Sequence, residues 1–175
     1  MRVLIAVGSR HGSTTEIAER LAERLTEAGH APQVLDLLHA RHHGDDLDDL
    51  TRFDAYIIGS AIYEGHWLRQ ARTFVLRNAA RLQHVPVFLF SSGPLGDSEH
   101  VAIDFAQIDE LVRAVDAVEH HLFSGRLERS ELGRIERWIV DVVRAHDGDF
   151  REWNAIDAWA AEVAAHLSST TSDAV

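Results

Sequence analysis

The chain has 175 residues, 46% of them hydrophobic, with no Cys and a formal net charge of −11. The length suits one domain with a two-faced core, and the missing Cys rules out disulfides, thiolate metal sites and cysteine nucleophiles. All 17 basic residues are Arg, and the charge is uneven: residues 1–88 carry 10 Arg against 11 acids, residues 89–175 carry 7 Arg against 17. An acidic surface of this kind repels phosphate backbones, so no nucleic-acid partner is expected.

In chain order, Arg2 to Val7 forms a β-prone run ending at Gly8, too short to span a bilayer and without the cleavage site of a signal peptide. A cytoplasmic protein is expected. Ser9 to Thr14 is a Ser/Gly/Thr loop, and Ile17, Ala18, Leu21, Ala22 and Leu25 follow at helical spacing. Pro32 to Leu38 reads as a second strand, and the polar stretch Arg41 to Leu50 as a loop. Phe53 to Ser60 is a third strand, followed by a loop to Gly65 and a helix in which Trp67, Leu68, Ala71, Phe74, Val75 and Asn78 share one side. Val85 to Phe90 is continuously apolar, as befits a strand covered on both faces. Ser91 to Asp97 reads as a turn-rich loop.

Phe105, Ile108, Leu111, Val112 and Val115 predict another helix, and Val118 to Phe123 a fifth, less apolar strand. Residues 131–145 predict an apolar helix capped by Ser130. Most such stripes are core, and the alternative is a surface for a quinone, membrane or partner. Trp153, Ile156, Trp159, Ala160, Val163 and Leu167 mark a last helix. The domain is expected over 1–168, with a polar, disordered tail at 169–175. Alternating strands and helices imply an α/β fold, a doubly wound parallel sheet of five strands covered on both faces.

Three segments on one sheet edge carry the chemistry. Gly8 to Thr14 links the first strand to the first helix, at the edge where doubly wound folds bind ligands. Helix-start amides favour an anion, Gly12 permits close approach, and Ser9, Ser13 and Thr14 can donate to phosphate oxygens. The segment matches neither GxxxxGK[ST] nor GxGxxG, and a helix-capping turn with no ligand is the competing reading. Gly59 to Trp67 and Ser91 to Asp97 complete the edge, with Tyr63 and Trp67 available to a planar ring. The 12 His show no HExxH spacing, and adjacent His point apart on a strand, so no metal site is expected. His66 could donate a proton, although a surface role suits it better. Without Lys, Asp36 cannot serve a phosphoreceiver, and without GxSxG a hydrolase elbow is absent.

On GSRHGSTTEIAERLA (8–22), GSAIYEGHW (59–67), HLFSGRL (121–127) and GDFREWNAIDAWA (148–160), the chain resembles the flavodoxin family. More narrowly, it resembles the branch that contains menaquinone-dependent protoporphyrinogen oxidase. The resemblance implies a flavodoxin-like sheet of order 2-1-3-4-5 and one FMN. Ser9, Arg10, His11, Gly12, Ser13 and Thr14 would wrap its phosphate. Ala61, Ile62 and Tyr63 would flank one side of the ring, and Ser92, Gly93, Pro94 and Leu95 the other. It implies an FMN-dependent oxidoreductase with a small-molecule or protein redox partner, a quinone among the candidates, and porphyrinogen dehydrogenation as the most concrete activity. The chain departs from that branch in a short AHDGDFREW before the last helix and an acidic second half, which disfavour a tetrapyrrole carboxylate and an anionic membrane. A flavodoxin-type carrier without its own substrate and a binding protein that has lost FMN are the alternatives.

Overall fold

The computed structural model describes residues 1–39, 50–93, 103–124, 126–127, 148–149 and 151–172. The elements are β1 (Arg2–Gly8), α1 (Ser13–Glu27), β2 (Ala31–Asp36), a 3-10 turn (Leu50–Arg52), β3 (Ala55–Tyr63) and β4 (His66–Trp67). There follow α2 (Arg69–Leu82), β5 (Val87–Gly93), α3 (Phe105–Val115), β6 (Glu119–Ser124), the two-residue strands β7 (Arg126–Leu127) and β8 (Gly148–Asp149), and α4 (Trp153–Ser172). The sheet order is β2-β1-β3-β5-β6, all parallel, with β4 added antiparallel to β3. The five parallel strands thus lie in the expected order 2-1-3-4-5.

Strand alternation divides the apolar residues between two cores. Val3, Ile5, Val7, Ala55, Ile57, Phe88 and Phe90 pack with Ile17, Leu21 and Leu25 of α1 and Ile156, Trp159, Val163 and Leu167 of α4. Leu4, Ala6, Tyr56, Ile58, Val87 and Leu89 pack with Phe74 and Val75 of α2 and Ile108 and Leu111 of α3. This is why β1, β3 and β5 read as unbroken apolar runs. Each fully buried aliphatic side chain contributes roughly 1.5–3 kcal/mol. Gly59 marks the tightest point between strands, because a Cβ there would lie 2.1 Å from Phe90 Cζ.

Five expectations need correction. Ala61 to Tyr63 continue β3 rather than begin a loop, and Trp67 sits in β4, ahead of the helix expected to hold it. The turn between them is the two-residue Glu64-Gly65, with φ of 50° and 84°, the geometry of a type I′ hairpin. Ser91 to Gly93 belong to β5 rather than to a loop. Phe105 is 59% exposed, because α3 begins at that residue and its buried face starts at Ile108. Finally, α4 runs to Ser172, four residues into the segment expected as a tail. The helix expected over 131–145 lies outside the described residues, as do Pro94 and Leu95. No helix of the described residues is long and apolar enough to cross a membrane.

Candidate functional site

Parallel register brings the strand ends to one edge. Gly8 lies beside Ser60, Ala61 beside Ser92, and Gly93 beside Ser124. The β1–α1 loop begins with Ser9, 4% exposed, and enters α1 through Gly12. Gly12 has φ +79°, a conformation that penalises any Cβ, and the space where a Cβ would stand is open to 4 Å. It offers no side-chain cap to α1, whose first-turn amides lack intrahelical partners. Thr14 is buried in the first turn, and the Glu16 N–H donates to the Gly12 carbonyl at 2.9 Å.

Across from this loop stands Tyr63, the last residue of β3. The Arg10 guanidinium carbon lies 4.7 Å from its ring centroid, and the His11 ring lies 6.1 Å away at 50°. Loop and hairpin therefore touch, bringing together Arg10, His11 and Tyr63 of the residues expected to bind. Ile62 is buried in the α2/α3 core, and its side chain lies under Gly93, where a Cβ would be 3.6 Å from it. Ser92 is 4% exposed.

The hairpin is held from behind by neutral hydrogen bonds. Trp67 Nε1–H donates to Ser91 Oγ at 2.7 Å, and Ser91 Oγ lies 2.8 Å from His120 Nε2. Burial, aided by the charge of His121, pulls the His120 pKa down to about 4. His120 is therefore neutral at pH 7, and its Nε2 and the Ser91 hydroxyl share a hydrogen bond. The chain of hydrogen bonds runs from indole to hydroxyl to imidazole. Ser60 Oγ accepts from the Leu68 N–H at 2.9 Å and donates to the Ala61 carbonyl at 2.8 Å. Gln107 and Asp104 at the start of α3 bind the other side: Gln107 Oε1 accepts from the Trp67 N–H at 2.9 Å, and the Asp104 N–H donates to the Gly65 carbonyl at 2.9 Å. His66, considered as a proton donor, lies on this α3 side, with Nδ1 3.3 Å from Asp104 Oδ2. Asp36 closes β2 instead of serving a ligand: its Oδ1 accepts from the Leu38 N–H at 2.8 Å.

A second feature was not read from the sequence. Arg151, with a side chain 3% exposed, donates through Nη1 to Glu16 Oε2 at 2.6 Å and through Nη2 to Asp149 Oδ2 at 2.7 Å. Its Nε donates to Asp149 Oδ1 at 2.8 Å, and its guanidinium lies 4.6 Å from the Trp153 ring centroid. Glu16 lies in the first turn of α1, so this buried cation stands one helical turn behind the β1–α1 loop. A contact across 135 residues leaves no periodic trace in sequence.

The donors present fit a flavin mononucleotide: hydroxyls and helix-start amides around an open glycine for a phosphate, and a tyrosine and strand-end backbone for a planar ring. A flavodoxin-domain family model matches residues 4–153. The chain is 33% identical over 91 residues to the protoporphyrinogen IX dehydrogenase [quinone] of Escherichia coli K12, a match covering 52% of this chain and 48% of that protein. The chain thus spans about half the length of the curated relatives it matches. Among solved structures, a cysteine-to-serine mutant of Pseudomonas aeruginosa flavodoxin superposes with a TM-score of 0.58 at 19% identity, covering 96% of this chain and 99% of that one. The rubredoxin oxygen:oxidoreductase of Desulfovibrio gigas superposes with a TM-score of 0.66 at 15% identity, covering 96% of this chain and 36% of that one. These structural likenesses speak for the fold alone.

Proposed function

This chain belongs to the flavodoxin domain family, and from that premise we propose that it binds one FMN at the β1, β3 and β5 strand ends and acts as a flavin-dependent oxidoreductase. The observation that carries the reading is the contact of Arg10 and His11 with Tyr63. It joins a phosphate-type loop to an aromatic wall within one ligand's length. In this reading Ser9, Arg10, His11, Gly12, Ser13 and Thr14 hold the phosphate. Ala61, Ile62 and Tyr63 shape one side of the ring site, and Ser92 and Gly93 the other, with Pro94 and Leu95 following Gly93 in sequence. When bound, FMN supplies the electron-transfer chemistry. The protein's part is to bind and orient it: Tyr63 limits water at one ring face, and the Trp67–Ser91–His120 chain keeps the hairpin from shifting.

The finer reading is dehydrogenation of a porphyrinogen with a quinone as acceptor, supported by the 33% identity to a protein of that activity. A second reading, an electron carrier without its own substrate, is favoured by the acidic second half of the chain, which suits a basic protein partner better than a tetrapyrrole carboxylate. Absorption and fluorescence titration with FMN test the shared premise. Flavin bands with quenched emission are expected, and a colourless protein indifferent to micromolar FMN would overturn it. Flavin-dependent turnover of protoporphyrinogen IX with menaquinone then separates the readings. Its absence, together with salt-sensitive reduction by a reductase, would select the carrier.

A further inference from the structure

We propose that Arg151 is a specificity-determining residue of the phosphate end: by neutralising Glu16 it lets the α1 entrance accept a doubly charged phosphate monoester. The inference rests on the FMN reading above. Glu16 occupies the first turn of α1, where a carboxylate ordinarily stabilises the helix dipole. The same carboxylate competes with any anion docking on the first-turn amides. Its negative charge lies one turn from Gly12, and its N–H is bonded to the Gly12 carbonyl. Screening by solvent is weakest where the partner is buried, and the Arg151 side chain is 3% exposed.

The guanidinium is built into place rather than laid on the surface. Asp149 takes two of its donors and also accepts the Arg151 backbone N–H at 3.1 Å, while Trp153 covers a face. Hydrogen bonds donated to Asp149, then to Glu16, hold its pKa above the ordinary arginine value despite burial, so the charge is permanent. A single Nη1 is thereby aimed at Glu16. The geometry sets the net charge behind the loop by one residue far away in sequence, independently of Arg10 at the front.

FMN and riboflavin differ by the phosphate, so the ratio of their dissociation constants isolates this end of the site. With Glu16→Gln the ratio should move several-fold further toward FMN, riboflavin binding staying as it is. With Arg151→Met, FMN binding should weaken by about tenfold, the scale of removing one positive charge near a partly screened anion. Riboflavin binding should change little. The double variant should recover the part of the loss that Glu16 causes, Asp149 keeping its charge, and thermal melts of all three report folding separately. An FMN/riboflavin ratio unchanged in Glu16→Gln, or equal losses for both ligands in Arg151→Met, overturns the proposal while leaving the FMN reading intact. Wild-type protein that quenches neither flavin overturns both.

Discussion

The helices on the two faces of the sheet are joined to one another by different chemistry near the candidate site. On the α1/α4 face, charges tie helix to helix: Arg20 holds Asp157 through Nε at 2.7 Å and Nη2 at 2.9 Å, Arg24 joins at 3.1 Å, and Arg151 reaches Glu16. Beneath them lies an aromatic cluster of Phe88, Phe90, Phe123 and Trp159. On the α2/α3 face, Arg72 pairs with Glu110 at 3.1 Å between the helices, but the hairpin is tied chiefly through the neutral Gln107, Ser91 and His120, with His66 Nδ1 3.3 Å from Asp104 Oδ2. In the proposed FMN reading, the β1–α1 loop end of the candidate site draws on the first face and the hairpin end on the second. The difference teaches that the two ends should answer to different perturbations, charge and salt for one, protonation of a single imidazole for the other.

The largest break in this comparison comes from Trp159. It is 2% exposed, packs edge-on against Phe88, Phe90 and Phe123, and donates through Nε1 to Glu119. Trp159→Ala should cost about 3–5 kcal/mol in urea unfolding, a loss that salt does not change. A loss of under ~1 kcal/mol would mean that the aromatic cluster is not what holds α4.

Acid titration sharpens the comparison next. The folded His120 pKa, about 4, lies below its ordinary value of 6.5, so the unfolded chain binds the proton first. Stability contributed by neutral His120 is intact above pH 6.5 and falls as pH drops toward 4, by on the order of 2 kcal/mol after allowing for partial solvent access. Asp157 behaves differently, since hydrogen bonds from Arg20 hold its pKa below the ordinary 3.8. Its contribution is intact above that value and is lost only as pH falls further. Unfolding midpoints of wild type and His120→Gln between pH 7 and 3 should separate these windows, the variant losing the slope between pH 6.5 and 4. An unchanged slope would locate that titration elsewhere.

The smallest effect is at the hairpin. Glu64 has φ 50° at the first position of a type I′ turn, where Asn is better suited. Glu64→Asn should stabilise by about 0.5 kcal/mol, and a lower melting temperature would contradict the turn geometry.

Much of this was legible from sequence because buried parallel strands and amphipathic helices write themselves as apolar runs and helical periods. Leu21 and Leu25, or Val87 to Phe90, could hardly be placed otherwise. The hairpin was not, because Glu-Gly is a weak I′ signal beside Asn-Gly, and Trp67 fits either a short strand or the helix that follows. Strand ends were drawn short at Ser60 and Phe90 because the polar Ser and Gly that follow resemble loop residues, although neighbouring strands pair with them. The loop between the first strand and the first helix was readable from local composition. Its charge balance was not, since Glu16 and Arg151 meet only through the packing of α1 beside the chain entering α4.

The parallel register also bears on how fast the molecule can form. Arg2 pairs with Ala31, Val3 with Ala55, Tyr56 with Val87 and Phe88 with Glu119, so every rung of the main sheet joins residues about 30 to 50 positions apart. Loop closure must precede the reward at each step, which places such a topology toward the slower end of the folding scale. Against this, the Ile62–Trp67 rung spans five positions and closes locally. The wall of the candidate ring site can thus zip up early, while the phosphate end waits for the chain at Arg151 to arrive. The cofactor would then meet a half-made cleft whose last missing part is a charge.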